Sequence, residues 1–168
     1  GTKMVFITAG MGGGTGTGAA PIIAREAKSK NILTIGIVTI PFQFEGNRKI
    51  DQALDGVEAI SKNVDALLVV NNERLREIYP ELTISDAFGR ADDTLTLAAR
   101  SIAEIITTHG KINLDFNDVC TVLRDGGVAI MSTGKGEGEL RVKSAIDDAL
   151  NSPLLNNNDI FDAKKVLL

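Results

Sequence analysis

The amino-acid sequence predicts an α/β protein: a parallel sheet in its first half, then a long central helix, then the start of a second α/β unit. Three observations carry this expectation. Short β-branched runs alternate with helix-period segments as far as Pro80, which implies strand–helix–strand crossovers. A stretch of helical periodicity then continues unbroken for about 24 residues, or roughly 36 Å of helix. After Gly110 the pattern restarts.

Taken in order, Lys3 to Ala9 reads as a buried strand, and Ala20 to Lys30 as a helix with Pro21 in its first turn. Leu33 to Ile40 is a second strand. The segment from Asn47 to Asn63 places Ile50, Ala53, Leu54, Val57 and Ile60 on one helical face. Ala66 to Val70 is a third strand, followed by a short helix from Glu73 to Ile78 that Pro80 ends. Thr83 and Asp86 have capping-box spacing at the start of the long helix, and Gly110 suits its C-terminal cap. Phe88, Ala91, Leu95, Ala98, Ile102 and Ile105 recur along it at helical period. Leu97, Ala99, Ala103 and Ile106 widen that stripe, so the helix is expected to lie between two layers. Beyond it come a helix from Asp118, a strand from Val128 to Ser132, a turn over Gly134–Gly138, a helix through Leu150 and a strand beginning at Lys165. This divides the chain into a partial first domain (1–85), a central helix (86–110) and a loop with the start of a C-terminal domain (111–168).

Composition narrows the function. A chain of 168 residues with 43% hydrophobic and 24% charged residues has the make-up of a soluble globular protein. A net charge of −4, with scattered lysines and arginines, argues against a nucleic-acid partner, which needs a concentrated basic surface. No apolar run reaches the ~20 residues that a bilayer span takes, so no direct membrane insertion is expected. The chain opens directly on the apolar run Met4-Val5-Phe6-Ile7, with no signal-peptide pattern. Cys120 is the only cysteine, which leaves no intrachain disulfide and no thiol metal cluster. A cytoplasmic protein is the natural expectation, and no metal ligands are assigned. Cys120 reads as core, and His109 as a cation at a helix end.

The strongest chemical signal is Gly12-Gly13-Gly14-Thr15-Gly16-Thr17-Gly18, between a strand and a helix. Glycines allow positive φ and close backbone approach to an anion. The following helix, expected to start near Ala19, offers free N–H groups and the positive end of its dipole to a phosphate. Thr15 and Thr17 add hydroxyls. A flexible turn would need one or two glycines, not five in seven residues. The run is neither a P-loop, lacking Gly-Lys-Ser/Thr, nor the spaced dinucleotide fingerprint. That second absence disfavours a nicotinamide-dependent oxidoreductase, the main rival on a parallel sheet.

Ala9-Gly10-Met11, the glycine run and Ala19-Ala20-Pro21 together resemble the signature loop of the FtsZ/tubulin family. The resemblance continues, in order and across the chain, through Pro41-Phe42-Gln43-Phe44-Glu45-Gly46, Asp86-Ala87-Phe88-Gly89, Asn113-Leu114-Asp115-Phe116-Asn117-Asp118 and Ser152-Pro153-Leu154-Leu155. These motifs match the FtsZ branch more specifically than tubulin. The resemblance implies a Rossmann-like parallel-sheet GTPase domain that binds GTP or GDP, allows Mg2+ with GTP, and polymerises with itself head to tail into protofilaments at the division site. Gly12, Gly13, Gly14, Thr15, Gly16 and Thr17 would cradle phosphate. Glu45, just past the second strand at the sheet's ligand-binding edge, would contact ribose. Either Arg48 or Lys49 would reach the phosphates. Phe88 would stack on the base, and Asp92, four residues on, would accept hydrogen bonds from guanine N1–H and N2–H2, with Asn72 also on the base. Without the family, Phe88 reads as core and Asp92 as surface.

Asn113, Asp115 and Asp118 match the family's catalytic loop. At 1.5 Å per residue the acids fall about 30 Å or more from the base in the same chain, so they would act on a neighbour's nucleotide. Asp118 also reads as the N-cap of the next helix. Partners that tether the filament to membrane or join in division would bind through parts outside this chain. The run from Lys165 looks like a strand cut off at its start, and the opening skips a first βα unit. Both suggest an internal fragment, with less activity than its family. A non-hydrolysing structural filament of the same fold is the alternative; the two acids of the loop argue against it.

Overall fold

The computed structural model describes residues 1–108, 115–132, 134–150 and 163–166. Three strands run in one direction, β1 (Met4–Gly10), β2 (Leu33–Ile40) and β3 (Ala66–Asn71). A two-residue β4 (Gly127–Val128) adds to the edge, giving the order β1-β2-β3-β4, parallel throughout. Register pairs Met4 with Leu33 and Ile35 with Ala66. The strands that the sequence predicts over residues 3–9, 33–40 and 66–70 are therefore present, each within a residue or two of its expected ends.

The central strand is apolar on both faces because both are covered, as parallel sheets require. Ile7, Val38 and Leu67 face helices α1 (Gly14–Ser29) and α2 (Asn47–Ser61), packing with Ala20, Ala24, Ala53 and Ile60. On the opposite face Leu33, Ile35, Ile37 and Leu68 pack against Ala98 of α4 (Ile84–Thr107) and Val119 of α5 (Phe116–Leu123). A short α3 (Asn72–Ile78) follows β3 directly, and α6 (Arg141–Leu150) lies near the end of the chain.

Several expectations need correction. Helix α1 begins at Gly14, inside the glycine run, not near Ala19, so Pro21 sits within the helix instead of in its first turn. Leu54 is half-exposed, and α2 buries Ala53, Gly56 and Ile60. Helix α4 starts where expected, with the Thr83 hydroxyl accepting the Asp86 N–H. Along α4, Leu95, Ala99, Ile102, Ile105 and Ile106 pack against the sheet-side cluster, so Ala99 and Ile106 widen the stripe as expected, while Leu97 is exposed. The expected strand from Val128 to Ser132 is cut to two residues, since Met131 leaves the ladder to pack with the α4–α5 layer. Of the strand expected over 165–168, Leu167 and Leu168 lie outside the described residues, and Lys165 and Val166 carry no strand; Lys165 Nζ donates to the Thr121 carbonyl on α5 (2.7 Å). Gly110, His109 and the Ser152–Leu155 motif lie outside the described residues.

The early start of α1 has a steric cause. Thr17 N–H reaches the Gly13 carbonyl, and the backbone at Gly16 lies directly on the Gly10 carbonyl at the end of β1. A Cβ at position 16 would collide with that oxygen, whereas at Gly18 it would meet open space. Gly16→Ala is therefore expected to destabilise the fold by about 1–3 kcal/mol through overpacking. Gly18→Ala, in the same helix, should stabilise it by about 0.5–1 kcal/mol through the lower entropy of the unfolded chain. Urea midpoints of the two variants check the contrast, and two shifts of the same sign would refute it.

Candidate functional site

The carboxyl ends of β1, β2 and β3 open into a cleft of about 300 Å³, within the size range of small-molecule sites. Its floor is Gly10, Met11 and Thr39. Gly12 and Gly13 form one wall, Glu45 and Lys49 a second, and Asn72, Phe88 and Asp92 a third. This is the edge at which open parallel sheets bind ligands.

The glycine wall is built by close approach. Gly12 has φ +95°, and a Cβ there would sit 2.7 Å from the Lys49 carbonyl and 2.9 Å from Pro41 Cγ. Its N–H donates to Thr17 Oγ1 (3.0 Å), and Met11 N–H donates to the Thr39 carbonyl (3.0 Å). Thr17 Oγ1 thus ties the loop together as an acceptor, a bond that does not use its O–H as donor. Gly14, Thr15 and Gly16 form the first turn of α1 beside the cleft. No side chain caps that turn and no acid lies in it, so its amides remain available to an anion.

Across the cleft, the Glu45 carboxylate accepts the Phe42 N–H (3.0 Å) and pairs with Lys49 Nζ (3.2 Å). Of the two candidate cations, Lys49 lines the cleft; Arg48 is exposed and does not. Asn72 is buried, and its Oδ1 has no partner among the described residues. A buried oxygen left without a donor costs about 1–3 kcal/mol, so it marks where a ligand's N–H would be welcome. Phe88 is half-exposed and stands edge to face with buried Phe42 (5.2 Å, 83°) and with Phe44 (6.1 Å, 87°). Asp92, one turn along α4, is exposed and makes no hydrogen bond or ion pair among the described residues.

The remaining two described acids are elsewhere. Asp115 and Asp118 form a capping box at the start of α5, with the Asp115 N–H donating to Asp118 Oδ2 (3.0 Å). Asp115, not Asp118, is therefore the N-cap, a one-turn correction to the sequence expectation. The next residue, Phe116, lies under Lys3 Nζ (5.9 Å), just before β1 begins. The acids thus stand at the amino edge of the sheet and the cleft at its carboxyl edge, separated by the length of β1, about 23 Å for seven residues. Asn113 lies outside the described residues.

Residues 1–80 match the model of the Tubulin/FtsZ family, GTPase domain. The chain is 69% identical over 166 residues, 99% of its length, to the cell division protein FtsZ of Porphyromonas gingivalis, of which it covers 36%. It is 46% identical over 168 residues to FtsZ of Aquifex aeolicus, of which it covers 46%. An empty FtsZ dimer from M. jannaschii superposes with a TM-score of 0.86 at 45% identity, over 92% of this chain and 45% of that one. The chain thus spans about a third to a half of the length of these relatives.

Sequence reasoning passed over Glu73, which only its partners reveal. This buried carboxylate accepts the Gln43 N–H (3.1 Å) and the Arg76 Nε–H (2.6 Å). Burial pushes its carboxyl up, but the Gln43 N–H and the Arg76 guanidinium outweigh burial and hold it below the ordinary 4.5. A folded-state value below the unfolded one stabilises the fold at pH above the unfolded value, and that stability is lost as pH falls through the folded value. The urea midpoint of the parent should therefore drop from about pH 5 downward, and Glu73→Gln should remove part of that drop. Parallel pH curves for the two proteins would contradict the assignment.

Proposed function

The chain belongs to the Tubulin/FtsZ family, and on that footing we propose that it carries the guanine-nucleotide pocket and the catalytic acids of a self-polymerising GTPase of bacterial cell division. The observation that carries this reading is the single cleft at the carboxyl edge that gathers the glycine loop, Glu45, Lys49, Asn72, Phe88 and Asp92. Each has work suited to its chemistry. The uncapped amides of the first turn of α1 meet the phosphates. Glu45 accepts from the ribose hydroxyls while Lys49, already drawn to it, offers its charge to the phosphates. Phe88, braced by two rings, stacks on the base. The unpartnered Asp92 carboxylate accepts from guanine N1–H and N2–H2, which adenine does not present together, and Asn72 Oδ1 gains a donor. The described residues hold no group of three metal-ligating side chains, so Mg2+ arriving with GTP would take its ligands mainly from phosphate and water.

Hydrolysis needs a second subunit on this reading. Head-to-tail stacking sets the amino edge of one sheet on the carboxyl edge of the next, bringing Asp115 and Asp118, with Asn113 of the same loop, onto the neighbour's GTP. There a carboxylate orients and polarises the water that attacks the γ-phosphate, releasing phosphate and leaving GDP. Filaments of this kind would assemble at the division site in the cytoplasm; tethering and other division proteins would bind through segments outside this chain.

Two outcomes are expected in the protein at its full encoded length. Asp92→Asn should weaken GTP binding by about 1–2 kcal/mol, the loss of charge-assisted hydrogen bonds. Titration calorimetry giving equal GTP affinity for both forms would reduce Asp92 to surface. In the second test, Asp115→Ala/Asp118→Ala subunits should bind GTP but scarcely hydrolyse it, and Asp92→Ala subunits should bind it poorly. Mixed at concentrations where both co-sediment, they should recover part of the phosphate release, because acids from one can reach GTP held by the other. Co-sedimentation with no gain in turnover would refute catalysis across the interface.

A further inference from the structure

The turn between β2 and α2, Pro41 to Gly46, carries Glu45 into the cleft and leads directly into Lys49 of α2. Two carboxylates hold it. Glu45, inside the turn, takes the Phe42 N–H (3.0 Å); Glu73, thirty residues on at the start of α3, takes the Gln43 N–H (3.1 Å). Glu73 is 7% exposed, and its second oxygen is occupied by Arg76. Asn71 caps α3 by accepting the Glu73 N–H (3.0 Å), which fixes the backbone from which this carboxylate reaches. The turn in turn sets the cleft. Phe42, fully buried, stacks on Phe44 (5.0 Å, 12°), and both rings brace Phe88. At its other end the turn aims Glu45 at Lys49.

We propose that Glu73 is a positioning residue for nucleoside recognition: by gripping the Gln43 amide it sets both the Glu45 carboxylate and the aromatic brace behind Phe88. The inference deepens the guanine-nucleotide reading and rests on it. Glu73 lines no part of the cleft, and the uncapped amides of α1 belong to a separate loop. Its loss should therefore weaken the nucleoside end of recognition more than the phosphate end, where Lys49 is the group that this turn also steers.

The test uses the protein at its full encoded length and two probes, GTP and inorganic tripolyphosphate. Glu73→Ala should raise the Kd for GTP by about tenfold, the scale of one lost hydrogen bond to a charged group, with a clearly smaller loss for tripolyphosphate. Glu73→Gln keeps a carbonyl acceptor for Gln43 and should recover most of the GTP affinity. Gln43→Pro removes the donor instead. Position 43 is the first residue of a short 3-10 turn and Phe42 is extended (ψ 153°), so proline fits there. It should reproduce the Glu73→Ala loss, and the double variant should be no worse than either single one. If Glu73→Ala does not fold, Gln43→Pro decides, since it leaves the pairing of buried Glu73 with exposed Arg76 in place. Unchanged GTP affinity, an equal loss for tripolyphosphate, or additive losses in the double variant would overturn the inference. A parent that binds tripolyphosphate but shows no preference for GTP would overturn the guanine reading itself, and this inference with it.

Discussion

Parallel strands give this sheet two unlike edges, and everything functional follows from that polarity. Each strand enters from the amino edge and leaves at the carboxyl edge, so every segment leaving a strand there can contribute to one cleft. Gly10 and the glycine loop end β1, Pro41 and Glu45 follow β2, and Asn72 follows β3. Helix α4 then runs 24 residues, about 36 Å. Phe88 and Asp92, near its start, line that cleft, and α5 begins beyond its far end, at the opposite edge. The two groups of residues therefore stand at opposite edges of the sheet.

The amino edge has its own fixings, which keep α5 in place. Buried Asp65, just before β3, accepts the Thr34 N–H (2.9 Å) and lies 3.4 Å from Lys28 Nζ at the end of α1. Lys28 also reaches the Val64 carbonyl and Asp125, beyond α5 (both 3.1 Å). Burial pushes the Lys28 amine down, but Asp125 and Asp65 outweigh it and hold the amine above its ordinary value. Asp65 would be costly to bury alone; paired and hydrogen-bonded, it joins α1, β2 and the α5–β4 turn at one point. Arg124 adds a hydrogen bond to Asn31 (3.0 Å) across the same gap. The capping box that carries the acids is therefore set on an anchored helix, as a reactive group needs.

What the sequence disclosed, and what it withheld, follows from the range of the forces involved. The strands were legible because burial on both faces demands unbroken apolar runs such as Leu33–Ile40. The start of α4 was legible because Thr83 and Asp86 act on each other locally. The start of α1 was not: glycine is a poor helix former, and only the contact between Gly16 and Gly10 explains a helix there. Glu73 was invisible for the same reason, since its partner Gln43 is brought close only by strand pairing. In the candidate site, residue types and motif order pointed to one cleft. That Lys49 lines the cleft and Arg48 does not, by contrast, depends on how the first turn of α2 is set against the sheet.

The acids of the α5 box invite an either-or reading, as caps or as catalysts, which their chemistry does not require. An ionised carboxylate has two oxygens and about four acceptor positions. Asp118 uses Oδ2 on the Asp115 N–H, and Asp115 uses Oδ2 on the Asn117 side chain. Both residues are solvent-exposed, so each retains acceptor capacity for a water outside the box. These bonds favour orientation of that water, because the Asp115 N–H restrains the Asp118 carboxylate and the Asn117 side chain restrains that of Asp115. On the interfacial mechanism proposed above, a subunit prepares its acids for catalysis before it meets a neighbour. The encounter then has to supply only the nucleotide and the water.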